Sequence, residues 1–307
     1  MKEKVDYEWY RQNIDKWFFN LDKAVIKALE LYKEKGLPKI DIKEFKRPLI
    51  VGSGNAIETG KILFNEVDAV FANESTYEHE LKTKKVDTAI LISASGKKDA
   101  PGIGKKLKEL KINRRLFTCN KEAPAKKYFE KKDVYTFLSL PEPYTYNTST
   151  YMGMILSKTK EDPKKILKFI KEKVEPKIPK DLGKKSSYTL LVDKQHSLIT
   201  PMLETKFIEL FARRFGRDVF TKQYAEKHAT DVVKTPKELF ISIGYENKKL
   251  GENKLTIPLP KNADYASMMA VGYYLCGKIQ QQKPQLFKQH LVNWAEKKEK
   301  TPLVKYN

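Results

Sequence analysis

The chain has 307 residues, enough for two domains of about 120 to 150 residues that each bury a core of their own. Apolar residues make up 40% and charged residues 32%; this balance excludes a wholly disordered chain, and no run reaches the ~20 apolar residues of a membrane-spanning helix. Sixty Lys and Arg against 39 Asp and Glu leave a net charge of +21, which admits polyanionic partners without choosing among them.

Most lysines alternate with Leu, Ile and Phe at helical spacing, as in GKKLKELK and DPKKILKFIKEKVEPK, which places them on solvated faces. No base-reading motif accompanies the charge, so nucleic acid is not the expected partner. The start MKEKVDYEWYRQ lacks the apolar run of a signal peptide. Cys119 and Cys276 stand far apart in apolar contexts, which suits buried thiols rather than a disulfide framework or a zinc site. The expected setting is a reducing cytoplasm.

In chain order, residues 5–35 carry Trp9, Ile14, Trp17, Phe18, Leu21, Val25, Ile26, Leu29 and Leu31 at mainly helical spacing. They predict a leading helix, possible interruptions included, that ends at Gly36-Leu37-Pro38. Short β-rich runs then alternate with amphipathic helices: RPLIVGSG, VDAVFAN, VDTAILISASG, RRLFTCN and DVYTFLSL. A Lys- and Pro-containing stretch, residues 175–187, reads as a linker, and a second set of strands and helices follows it. The expected division is a helical segment over 1–45, a first lobe over 46–178 and a second over 185–307. Alternating strands and helices predict an α/β fold of two doubly wound lobes with mainly parallel sheets. The second set echoes the first, most closely in YTFLSLPEPYTYNTSTYMGMIL against NKLTIPLPKNADYASMMAVGYYL, which suggests an internal duplication.

Two strand-to-helix turns carry the expected binding chemistry. In an open parallel sheet, ligands sit beyond the carboxyl ends of strands, where helix N-termini present free N–H groups. The first turn is Gly52-Ser53-Gly54, whose glycines admit a ligand close to the backbone. Ile57 stands where a dinucleotide fingerprint needs its third glycine, and no GK[ST] is present, so nucleotide readings are weak. The second turn, Ser93-Ala94-Ser95-Gly96-Lys97-Lys98, combines two hydroxyls, a permissive glycine and two cations ahead of a helix, a set able to surround a phosphate. Its plainer alternative is a helix start capped by Ser95 or Asp99.

At these turns the chain resembles the sugar isomerase (SIS) family. SASGKK is similar to that family's S-x-S-G-x-T phosphate loop, VGSGNA to its first Gly-rich turn, and FTCNKEAPAKKYF to its strand, Thr-Asn and small-residue turn. LPEPYTYNTSTYMGMIL resembles the approach to its Ser/Thr-rich final helix. The layout is most similar to two-lobed archaeal phosphoglucose/phosphomannose isomerases. The resemblance implies two flavodoxin-like lobes, a homodimer and a hexose phosphate substrate bound by Gly52, Ser53, Gly54, Ser93, Ser95, Gly96 and Lys98. The likeness departs at Ala56 and Lys98, which replace hydroxyl residues, and at Ala100-Pro101, which replaces Glu-Thr.

Moving a proton between neighbouring sugar carbons through an enediol takes a base near C1 and C2 and a group that opens the ring. The resemblance implies a Glu on the first helix of the second lobe and a downstream His. Glu209 in FIELFA matches the base, with Glu204 the alternative. Glu209 lies roughly 200° round from Phe207 at about 100° per residue, off the stripe of Leu203, Phe207, Leu210 and Phe211. That position suits a cleft, and equally a solvated pair with Arg213. His228 in YAEKHATD matches the ring-opening group. His79 and His290 read as exposed, and His196 as a residue at a cleft edge. No metal-ligand spacing links the histidines, so neither metal nor cofactor is expected. The open alternative is a sensor of sugar phosphates that converts none.

Overall fold

Residues 5–35 alternate apolar and charged positions at a period near 3.6, and they fold as three successive helices, α1 (Tyr7–Gln12), α2 (Ile14–Trp17) and α3 (Leu21–Lys35). The breaks have local causes. Asn13 leaves helical geometry between α1 and α2, and Phe18 turns extended after α2. Gly36 adopts φ 79 just beyond α3, the left-handed stop that glycine accommodates. This is a computed structural model, and it describes residues 5–42, 44–228, 230–283, 286–299 and 302–304.

The next elements are β1 (Pro48–Val51), α4 (Asn55–Leu63), β2 (Val70–Ala72), α5 (Tyr77–Thr83), β3 (Thr88–Ile92), α6 (Ala100–Glu109), β4 (Arg114–Thr118) and β5 (Val134–Thr136). The strands form one five-stranded sheet in the order β2-β1-β3-β4-β5, every neighbour parallel. Central strands β1 and β3 are buried at every position, as a strand covered on both faces must be, whereas β2 and β5 at the edges are partly exposed. Leu49, Val51, Leu91 and Leu116 pack with Ile103, Leu107 and Phe129 on one face of this sheet.

Helices α7 (Thr148–Thr159) and α8 (Pro163–Phe169) precede the second sheet. Its elements are β6 (Ser187–Val192), α9 (Thr200–Phe211), β7 (Gly216–Thr221), α10 (Lys222–Lys227), β8 (Glu238–Ile243), β9 (Lys254–Ile257), α11 (Tyr265–Gln282) and α12 (Leu286–Trp294). These four strands run parallel in the order β7-β6-β8-β9. The first four strands of the first sheet follow the same pattern. In each sheet the order reverses beside the first strand, between β1 and β3 and again between β6 and β8, which marks the ligand crevice of an open α/β sheet.

The chain forms two compact units that do not follow chain order. One holds residues 35–139 and 149–160, the first sheet with most of α7. The other holds residues 1–34, 140–148 and 161–306, so the leading helices and α8 group with the second sheet. In that unit Tyr10, Trp17 and Phe18 pack with Leu291, Val292 and Ala295. α11 is buried nearly all round, which explains its lack of a polar face. Among the described residues no helix is long and apolar enough to cross a membrane.

Candidate active site

The two Gly- and Ser-rich turns follow β1 and β3, the strands that flank the order reversal of the first sheet. After β1, the Gly52 N–H donates to the Ala72 carbonyl at 3.2 Å. A Cβ on Gly52 would sit 2.8 Å from the Ile57 nitrogen, so only glycine lets α4 start so close to the strand. Gly54 takes φ 52 at the N-cap position of α4, facing open space, and no side chain caps the helix. Ser53 is exposed and Ala56 is buried.

After β3, the Ser93 Oγ accepts the Gly96 N–H at 3.2 Å and the Ser95 Oγ accepts the Lys97 N–H at 3.3 Å. Each bond uses a hydroxyl lone pair and leaves the O–H proton able to donate. Gly96 has φ 60 and Lys98 φ 50, two left-handed positions two residues apart, which curl the backbone into a concave turn. Asp99 occupies the N-cap of α6 without a side-chain capping hydrogen bond, and the Ser95 hydroxyl is engaged outside the helix. The plainer role for this turn, a side-chain cap on α6, is therefore absent.

In the other unit, Leu203, Phe207, Leu210 and Phe211 of α9 are buried as a stripe. Lys206 lies on that stripe and is wholly buried. Its ammonium donates to the carbonyls of Thr145 at 3.1 Å and Tyr146 at 3.2 Å and to Glu209 Oε2 at 2.6 Å, which engages all three of its donors. The Tyr273 ring lies 5.4 Å from Nζ. Thr145 and Asn147 adopt φ 76 and φ 47, a strained path for a β-branched residue, and the segment turns its carbonyls to Lys206. Glu209 keeps 27% of its side chain exposed. Among the described residues it pairs with Lys206 one turn back and not with Arg213. Glu204 is exposed and bears on Asp218, whose carboxyl is pushed up by burial first and by Glu204 second.

His228 is exposed beyond α10, with its ring 4.3 Å from that of Tyr224, which in turn stacks on Phe220 at 5.1 Å. Among the described residues no hydrogen bond or ion pair joins His228 to Glu209. Its neighbour Ala229 lies outside them. His196 is not at an open edge: it is 3% exposed, its Nε2 is 3.1 Å from the Ala263 carbonyl, and its ring meets Tyr265 edge to face. His79 and His290 are exposed. Both cysteines are buried and free. Among the described residues no cluster of His, Cys, Asp or Glu has the arrangement of a metal site.

Lys206 is the residue that sequence reasoning missed. Its signal was present, a lysine at the spacing of an apolar stripe, but such a lysine normally snorkels to solvent. The N-terminus of α11 was missed as well: Glu161 accepts from the backbone N–H groups of Asp264, Ala266 and Ser267 at 2.9 to 3.3 Å, so a carboxylate of the chain itself occupies that anion position.

No protein-family model matches the chain, and no curated protein matches it. Solved structures do. The C-terminal domain of glucosamine-fructose-6-phosphate aminotransferase from Francisella tularensis superposes with a TM-score of 0.58 at 12% identity, covering 85% of this chain and 95% of that one. Tagatose-6-phosphate ketose/aldose isomerase from Escherichia coli gives 0.58 at 10% identity, with 85% and 90% covered. Glucosamine-6-phosphate deaminase from Thermotoga maritima gives 0.58 at 15%, with 85% and 91% covered. Identities this low speak for architecture alone. The fold of this chain is thus of the sugar isomerase (SIS) type, two doubly wound parallel sheets with their order reversals in corresponding places.

Proposed function

We propose that this protein is a cofactor-independent aldose–ketose isomerase of a hexose phosphate, of the phosphoglucose/phosphomannose isomerase kind, working as a cytoplasmic homodimer. The observation that carries the reading is the turn after β3, where two hydroxyls, a left-handed glycine and Lys97-Lys98 precede a helix that no side chain caps. Ser93, Ser95, Gly96 and Lys98 would hold the phosphate, with Gly52, Ser53 and Gly54 on the other side of the crevice. Glu209, fixed by the buried Lys206 ammonium, takes the proton from C2 of the open-chain aldose to leave an enediolate and returns it to C1, while the hydroxyl proton passes from O2 to O1. His228 moves a proton to the ring oxygen as the ring opens. Aldose and ketose are isomers, so the electron balance closes without an oxidant.

The test is conversion of an aldose 6-phosphate in deuterated water, read as solvent deuterium at C1 of the ketose formed. Glu209→Gln should lower turnover by roughly 10²–10⁴-fold, the usual contribution of a general base, with phosphosugar affinity kept. Unchanged turnover removes Glu209 from the mechanism. A second reading, a sensor that binds sugar phosphates without converting them, is favoured by the exposed His228 ring packed on Tyr224 and by the buried Ala56 in place of a hydroxyl. It predicts thermal stabilisation by hexose phosphates with no deuterium incorporated.

A further inference from the structure

An anion cradle made of backbone works only if its peptide units are turned the right way, because C=O and N–H point in opposite directions across a planar trans peptide. In the turn after β3, three successive carbonyls are captured on the side of β4. The Ala94 carbonyl accepts from the Cys119 N–H at 3.0 Å, the Thr118 Oγ1 at 2.9 Å and the Cys119 Sγ at 3.0 Å. The Ser95 carbonyl accepts from Asn120 Nδ2 at 2.8 Å, and the Gly96 carbonyl from the Ala125 N–H at 3.2 Å. The bracing side chains are themselves tied: Thr118 Oγ1 accepts the Asn120 N–H at 3.2 Å and Asn120 Oδ1 the Glu122 N–H at 2.9 Å. The far faces of these peptides carry the N–H groups: that of Gly96 goes to the Ser93 carbonyl and hydroxyl, that of Lys97 to the Ser95 hydroxyl, and that of Ser95 makes no hydrogen bond among the described residues. Thr118 and Cys119 are buried, so that part of the support sits beneath the turn, while Asn120 is half-buried.

We infer that Thr118 and Asn120 are positioning residues that decide the polarity of the turn: by holding the Ala94 and Ser95 carbonyls toward β4 they keep acceptor oxygens off its open face and leave the Ser95 N–H there as a donor to a phosphate dianion. This rests on the phosphate reading given above. Without the brace, the peptides after Ala94 and Ser95 are free to flip, and a carbonyl oxygen aimed at a phosphate repels it.

Calorimetric titration of the full chain with inorganic phosphate and with a hexose 6-phosphate tests this, using Asn120→Ala, Thr118→Val and Thr118→Ser. The first two lose a donor without adding charge, and should weaken both ligands by the same factor, roughly three- to tenfold, the value of one hydrogen bond. Thr118→Ser keeps the hydroxyl and should bind as the parent does. In ¹⁵N-resolved spectra at a phosphate concentration that half-saturates the parent, phosphate should shift the Ser95 amide proton of the parent and of Thr118→Ser alike, and shift it less in Thr118→Val. Phosphate affinity unchanged in both folded donor-less variants overturns the brace while leaving the phosphate site standing. Should Asn120→Ala fail to fold, Thr118→Val decides alone. A parent chain that binds neither ligand overturns the phosphate reading and the brace together.

Discussion

An ammonium sealed from water must find an acceptor for each of its three protons, and at Lys206 two of them are carbonyls of a strained segment and the third is Glu209. Glu209→Ala would leave a buried charge short of its counter-ion. The expected loss is about 2–3 kcal/mol, below the full range for a sealed pair because Glu209 keeps 27% of its side chain in solvent. Glu209→Gln, which still offers an oxygen to Lys206, should lose less. Urea midpoints of the two variants check this, and equal stability of Glu209→Ala and the parent would show that the ion pair carries no weight. The i,i+3 contact between Lys206 and Glu209 was open to a helical wheel. What the wheel cannot supply is the partner of Lys206 on its other side, the Thr145 and Tyr146 carbonyls some sixty positions away.

At the scale of elements, turns and buried helices behave differently. The turn after β3 depends on Gly96, where φ 60 disfavours any side chain and a Cβ would collide with Ala123. Gly96→Ala should therefore abolish phosphate binding and destabilise by more than the ~1–2 kcal/mol of a left-handed residue alone; titration with inorganic phosphate and a thermal melt read the two effects separately. α11 shows the converse, a helix whose burial is felt through titration. Burial pushes the Cys276 thiol from 9.0 up to about 12. A raised folded value means that the unfolded chain releases its proton first, so this stabilisation is complete below pH 9 and is lost as pH climbs toward 12. Urea midpoints should fall between pH 8 and 10.5, and Cys276→Ala should fall less steeply. Identical slopes would exclude Cys276 as a contributor. Strands and their turns were readable because β-rich apolar runs and Gly/Ser punctuation are local signals. α11 was readable as a helix rich in small residues and Met; the carboxylate of Glu161 at its start was not, because it belongs to a segment about a hundred residues earlier.

Over the whole molecule the charge of +21 sets long-range behaviour. A phosphate dianion should be drawn to this surface at low salt, and its association rate should drop when the Debye length shrinks from about 30 Å at 0.01 M to about 3 Å at 1 M salt. Stopped-flow binding of a hexose phosphate across that range reads the effect, and a flat profile would mean that the lysines are solvated decoration. Composition and periodicity were sufficient for the α/β class, the parallel sheets and the two turns that follow β1 and β3, since each depends on residues within a few positions of one another. The order of strands, the grouping of residues 1–34 and 140–148 with the second sheet, and the burial of Lys206 were decided only in three dimensions. They depend on which distant surfaces bury one another, and the free energy of such contacts leaves no periodic trace along the chain.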